Sequence, residues 1–172
     1  MEITVTTLAL LVLTPLLVWR IYLRIKSQMA YQRSIVSRHY TAVLVFGAMI
    51  LVPAAQLLGN VTNLASLLIG AAGGIAYAVW GLKLTRFDAS EKGYWFTPNA
   101  RLGIVMAMIL VARLLYFGVE IYANQGKDVA PQKLTDSALT MLCVGLTAGY
   151  FGMYSAGLLR WRRRMRKEVD AA

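Results

Sequence analysis

The chain has one cysteine and one histidine in 172 residues, and only 15% of its residues are charged. With Cys143 alone, an intramolecular disulfide, a Cys-x-x-Cys redox pair and a cysteine zinc site are all excluded within one chain. Cys143 lies inside an apolar stretch and reads as a small buried hydrophobe. With His39 alone, there is no His-Glu-x-x-His metal motif, and no set of Ser, His and Asp can be assembled for nucleophilic catalysis. No glycine-rich phosphate loop follows a strand. Nothing here supports an enzyme or a metal site.

What takes the place of charge is apolar surface: 58% of residues are hydrophobic and the mean hydropathy is +0.57, against roughly 45 to 50% apolar in soluble domains. A soluble domain of 19 kDa still exposes about a third of its unfolded area and has no room to hide this excess. The net charge of +10 would point to nucleic acid if the basic residues shared one soluble face. They fall instead between apolar stretches, the pattern of membrane sidedness, so no nucleic-acid partner is expected.

A hydrocarbon layer about 30 Å thick takes about 20 helical residues to cross. Five stretches qualify, at residues 3–19, 41–58, 64–82, 102–122 and 136–159. The first has no Lys or Arg before it and five after it, the reverse of a cleavable signal. As a retained anchor it puts the N-terminus outside. Fifteen Lys and Arg then fall on the cytoplasmic side, including Arg160, Arg162, Arg163, Arg164, Arg166 and Lys167 of the tail, while only Lys127 and Lys133 fall outside. Trp19, Trp80 and Trp161 mark the cytoplasmic helix ends. The expected fold is one all-α transmembrane domain over residues 1–172: a five-helix polytopic bundle, N-terminus outside, with a basic cytoplasmic tail at 160–172.

Two cytoplasmic segments connect the spans. In the first, Ile21, Ile25 and Met29 alternate with basic residues, which suits an extension of the first helix, a surface helix on anionic lipid, or a solvated linker. The second, residues 83–99, has two β-prone runs around a polar turn ending at Gly93, the pattern of a β-hairpin, with Asn99 as cap of the next helix. An isolated hairpin is marginal in water, so it must pack on the membrane face or on a partner. Arg86, Tyr94, Trp95 and Phe96 are its candidate partner contacts. Gly70 and Gly74 in the third span and Gly145 and Gly149 in the fifth mark close helix approaches, within the chain or between subunits of a homo-oligomer.

Among the charged residues only Arg113 falls at mid-membrane, where burial costs from about 3 to over 10 kcal/mol. Roughly 15 Å of half-bilayer exceeds its reach, and Glu120, two turns on, is about 10 Å away along the same helix. Depth matching brings Thr14, Tyr77, Thr147 and Tyr150 alongside it, all neutral. The candidate anion or ligand site is therefore Arg113 with Tyr116, Tyr77, Thr147 and Tyr150; the alternative is an Arg held by carbonyls and hydroxyls alone. Glu120, Gln56 and Asn60 form a polar group of similar depth near the outer interface. His39, at the cytoplasmic edge, is open to single-haem ligation or to a plain interface role. No cofactor is expected otherwise.

The run from Tyr77 through Trp80, Gly81, Arg86 and Asp88, continuing through Gly93, Tyr94, Trp95, Phe96, Pro98 and Asn99 to Gly103, resembles the central region of the CcdC-like family of small bacterial membrane proteins. Arg113-Leu-Leu-Tyr116 extends the likeness. The resemblance implies a multi-pass protein of the bacterial inner membrane, associated by its family name with cytochrome c biogenesis, and it assigns no activity or binding residue. Direct electron transfer would need paired cysteines, which this chain lacks. The expectation is a non-enzymatic accessory or interaction protein, with membrane lipids and a protein at the hairpin as partners. A small transporter or lipid-handling protein with an anion site at Arg113, and a haem binder, are the alternatives.

Overall fold

The structure, a computed structural model, describes residues 13, 15–24, 32–90, 93–124 and 133–170. Residues 15–24 are helical (α1), while residues 3–12 and 14 of the first apolar stretch, Thr14 among them, lie outside the described residues. The elements that follow are β1 (Gln32–Arg33), α2 (Val36–Gln56), α3 (Val61–Lys83), β2 (Arg86–Ser90), β3 (Gly93–Thr97), α4 (Ala100–Ala123), a 3-10 turn (Leu134–Asp136) and α5 (Ala138–Asp170). Helices α2 to α5 are each long and apolar enough to cross a membrane. The chain is a multi-pass membrane protein, a helical bundle with a small sheet at one end.

Local chemistry sets the element ends. Pro53 lies in the last turn of α2, where it has no N–H to bond back to the preceding turn, and the chain turns through Leu57, four residues on, whose amide bonds back to Pro53 O at 2.9 Å. Asn60 caps α3, its side chain accepting from the Asn63 amide at 3.2 Å. Asn99 caps α4 as its sequence predicts, accepting from the Arg101 amide at 3.1 Å. At the far end of α3, Thr85 Oγ1 donates to Gly81 O and sits 2.7 Å from the Tyr154 hydroxyl, which fastens the helix-to-strand joint onto α5.

Helix α5 is the centre of the bundle. It runs parallel to α3 and antiparallel to α2 and α4, as the pairs Gly74 with Leu146, Phe46 with Phe151 and Thr147 with Met106 establish. The α3–α5 seam is backbone against backbone. A methyl added at Gly70 or Gly74 would overlap the Leu142 or Leu146 carbonyl, and one added at Gly145 or Gly149 would overlap the Leu67 or Ala71 carbonyl. The two Gly-x-x-x-Gly faces are thus used against each other within the chain. Outward-facing side chains are apolar, with Leu44 at 72% and Leu51 at 69% exposure on α2, a surface suited to lipid.

Helix α5 continues well beyond the expected end at residue 159, through the arginines to Asp170. Hydropathy marks the lipid boundary, and Arg has high helix propensity with no breaker in this run, so the basic tail is the last turns of the helix. The expected hairpin is present as β2 and β3, with Phe87 opposite Phe96 and Asp88 opposite Trp95. It gains a strand no pattern predicted: Gln32–Arg33 pairs antiparallel with the free edge of β3, giving the order β1-β3-β2. In the first connecting segment, Ile21 lies in α1, which continues to residue 24 in agreement with the helix-extension alternative, residues 32–33 are sheet edge, and Ile25 and Met29 lie outside the described residues.

Candidate functional site

Side chains alternate across a strand, so the sheet has two different faces. Phe87, Tyr94 and Phe96 point to the bundle. Phe96 is 5% exposed in a core cluster with Ala78, Met106, Tyr150, Tyr154 and Leu158. The Trp161 ring lies 4.7 Å from Phe87 and edge-on to Tyr94, and the Arg162 guanidinium stacks 3.9 Å over the Tyr94 ring. Arg33, Trp95 and Asp88 line up across the opposite face, with Arg86 beside them opposite Thr97. The four expected partner contacts are thus divided: Tyr94 and Phe96 fasten the sheet, and Arg86 and Trp95 are on the outer face.

His39 is buried under the sheet, its Nε2 3.0 Å from Ser34 Oγ and its ring 5.8 Å from that of Phe96. It ties the β1–α2 junction to the sheet. The basic end of α5 is also held to α2, where Arg163 Nη2 donates to the Tyr40 hydroxyl.

At the other end of the bundle, Arg113 is half-buried and makes two hydrogen bonds: Nε donates to Thr140 Oγ1 at 2.9 Å and Nη2 to Ser137 Oγ at 2.8 Å. Its guanidinium also lies 5.1 Å from the Tyr116 ring centroid. No carboxylate pairs with it among the described residues. Ser137 precedes α5 and Thr140 is in its first turn, so the cation meets the positive end of the α5 dipole, an arrangement that disfavours it by about 0.3 to 1 kcal/mol.

Of the candidate site residues, Tyr116 is beside Arg113, while Thr147, Tyr150 and Tyr77, which depth matching brings alongside it, have other partners, and Thr14 lies outside the described residues. Thr147 Oγ1 bonds to Met106 O at 3.3 Å, two turns away along α4. Tyr150 is buried in the cluster near the sheet, stacked with Tyr154. Tyr77 is half-exposed and packs on Trp80. The antiparallel register of α4 on α5 differs from the depth-matched one by about two turns, because α5 extends so far toward the basic end. Ser137 and Thr140 were missed for that reason, although Ser137 three residues before Thr140 has the spacing of a helix cap.

The outer polar group does not converge. Asn60 is the α3 cap, Gln56 borders a membrane-side groove with Lys133, and Glu120 is a half-buried residue in the last turns of α4. Asn63, which no motif marks, is instead a buried tie: its Nδ2 donates to Thr135 O at 2.8 Å, joining α3 to the turn before α5. Their 72-residue separation left no local signal to find.

A central helix gripped by glycine, three flanking spans and a fastened sheet define a polytopic membrane bundle with no assembled catalytic centre among the described residues. The chain belongs to the CcdC family: the sequence model described as CcdC protein matches residues 5–168. A search among curated proteins and one among solved structures found no match.

Proposed function

We propose that this protein is a non-enzymatic accessory protein of the bacterial inner membrane, its sheet end in the cytoplasm, which engages a protein partner through the outer face of the sheet. The observation that carries this reading is the two-sidedness of that sheet. One face is locked to α5 by Phe87, Tyr94 and Phe96, and the other turns Arg33, Arg86, Asp88 and Trp95 away from the bundle. A rim of arginine and a tryptophan on a rigid platform is the composition of an interaction surface. Within a family named for cytochrome c biogenesis, such a platform suits a supporting role, since the lone Cys143 is buried and cannot form a redox pair. A photocrosslinking residue at position 95 should capture one dominant protein in membranes, and Trp95→Ala should abolish it. Recovery of nothing above background sinks the reading. Loss of haem-stained c-type cytochromes on deletion, restored by the wild-type chain and not by Trp95→Ala, would tie the platform to maturation.

A second reading rests on Arg113. A guanidinium placed against a helix N-terminus gathers two positive ends in one apolar locale, and only hydroxyls answer it among the described residues. That arrangement favours an anion and supports a lipid-handling or transport role. If Arg113→Leu keeps every deletion phenotype complemented, this second reading fails. Haem ligation by His39 draws no support, because its Nε2 faces Ser34 under the sheet.

A further inference from the structure

We infer that the cleft between β1, the start of α2 and the basic end of α5 is a binding site for the phosphate of an anionic phospholipid. Two adjoining cavities, about 480 and 240 Å3, share Tyr94 and Arg162 as walls. Four arginines line them, Arg33, Arg162, Arg163 and Arg166, with no carboxylate among the described lining residues. The like charges of Arg33 and Arg162, which border the same cavity, repel one another, and an anion between them relieves that repulsion. The Arg162 guanidinium carbon lies 3.9 Å over the Tyr94 ring centre, and a guanidinium held against a ring keeps in-plane N–H donors of the kind that grip phosphate oxygens. Neither Arg33 nor Arg162 has a side-chain acceptor among the described residues.

The surroundings select a lipid over a soluble phosphate. The apolar rim of the cleft is Ile35, Val36 and Tyr40, each 38 to 43% exposed, with buried Leu159 between. These residues stand where α2 and α5 pass from their apolar spans into the basic end, the depth at which headgroup phosphates lie. A ligand with an anionic head and apolar tails satisfies both the arginines and the rim. Arg33 borders both surfaces, but the two readings fail separately: a failed crosslink at Trp95 leaves Arg162 and the apolar rim untouched, and a failed lipid assay leaves Arg86, Asp88 and Trp95 untouched.

The test is native mass spectrometry of the full-length protein in detergent, titrated separately with phosphatidylglycerol, zwitterionic phosphatidylcholine and inorganic phosphate. Phosphatidylglycerol should bind with saturation and phosphatidylcholine only weakly. Arg162→Gln and Arg33→Gln should each weaken the phosphatidylglycerol complex about fivefold. Arg160→Gln, which removes the same charge from α5 outside the cleft, should leave it unchanged. Arg33 is an exposed edge residue, so its variant stays informative if Arg162→Gln misfolds. Equal binding of the two lipids, equal loss in Arg160→Gln, or displacement of the lipid by inorganic phosphate at matched concentration overturns the assignment.

Discussion

Helix α5 is gripped in two ways. Against α3 it presents glycines, and the two backbones touch with nothing between them. Against α4 it presents side chains, with Arg113 reaching Thr140 and Ser137, and Thr147 reaching the Met106 carbonyl. In lipid no hydrophobic force holds helices together, so close packing and polar contacts must do it. The difference teaches where the molecule can tolerate change. The α3 seam has no slack, because backbone cannot move aside, whereas the α4 seam is made of side chains that can re-form around a ligand or release it.

The sharpest way to break that contrast is a large residue in the glycine seam. Gly145→Leu drives a side chain into the Leu67 carbonyl and the Ala71 amide, where nothing flexible can yield. The expected cost is about 3 kcal/mol or more, enough to leave little folded protein. Fluorescence-detected size exclusion in detergent should show aggregate or loss of the monodisperse peak. A stable, well-expressed Gly145→Leu protein would mean that the seam is not as close as described.

The sheet is attached differently again, by a ring inserted into the bundle. Phe96→Ala removes its largest buried contact, beside Met106, Tyr150 and Leu158, at a cost of about 3 kcal/mol. The helices keep their glycine seam, so the expected outcome is local: limited proteolysis at the hairpin with the spans still protected. Protection of the hairpin equal to wild type would show that Trp161 and Arg162 alone hold the sheet.

How much of this was legible depends on the range of the cause. The last four of the five spans, the Asn99 cap and the β2–β3 hairpin follow from hydropathy and turn chemistry within a few residues, and each has its structural counterpart. The glycine spacing marked both halves of the α3–α5 seam, though not that they meet each other. The third strand was illegible because Gln32–Arg33 is two residues long and owes its form to the free edge of β3, some sixty residues on. The partners of Arg113 were missed for a different reason. Matching by depth assumes that spans begin level with one another, and α5 is displaced along its axis, so Thr147 and Tyr150 gave way to Thr140 and Ser137.

In the α4 seam the expected effects are smaller and interdependent. Thr140→Val should cost about 1 kcal/mol by leaving one guanidinium donor without its acceptor. In the Arg113→Leu background the same change should cost almost nothing, since no donor remains. The coupling in a double-mutant cycle, read from unfolding in mixed detergent, should be about 0.6 to 1.7 kcal/mol. Additive effects would show that the two side chains do not support each other, and would return Arg113 to the list of charges in need of a partner.

The smallest effect separates the two seams most cleanly. Gly118 lies on α4, and a methyl added there meets nothing within 4 Å among the described residues. If α4 is held by side chains alone, Gly118→Ala should raise stability by about 0.5 kcal/mol, the ordinary gain of replacing a helical glycine. The same substitution at Gly74 must instead push the Leu146 carbonyl away and destabilise. One chemical change, a single methyl, therefore takes opposite signs on two helices that flank the same neighbour. A loss of stability at Gly118 would reveal a backbone contact to α4 from beyond the described residues, in the first apolar stretch or in a second copy, and would show that α4 too is held by close packing.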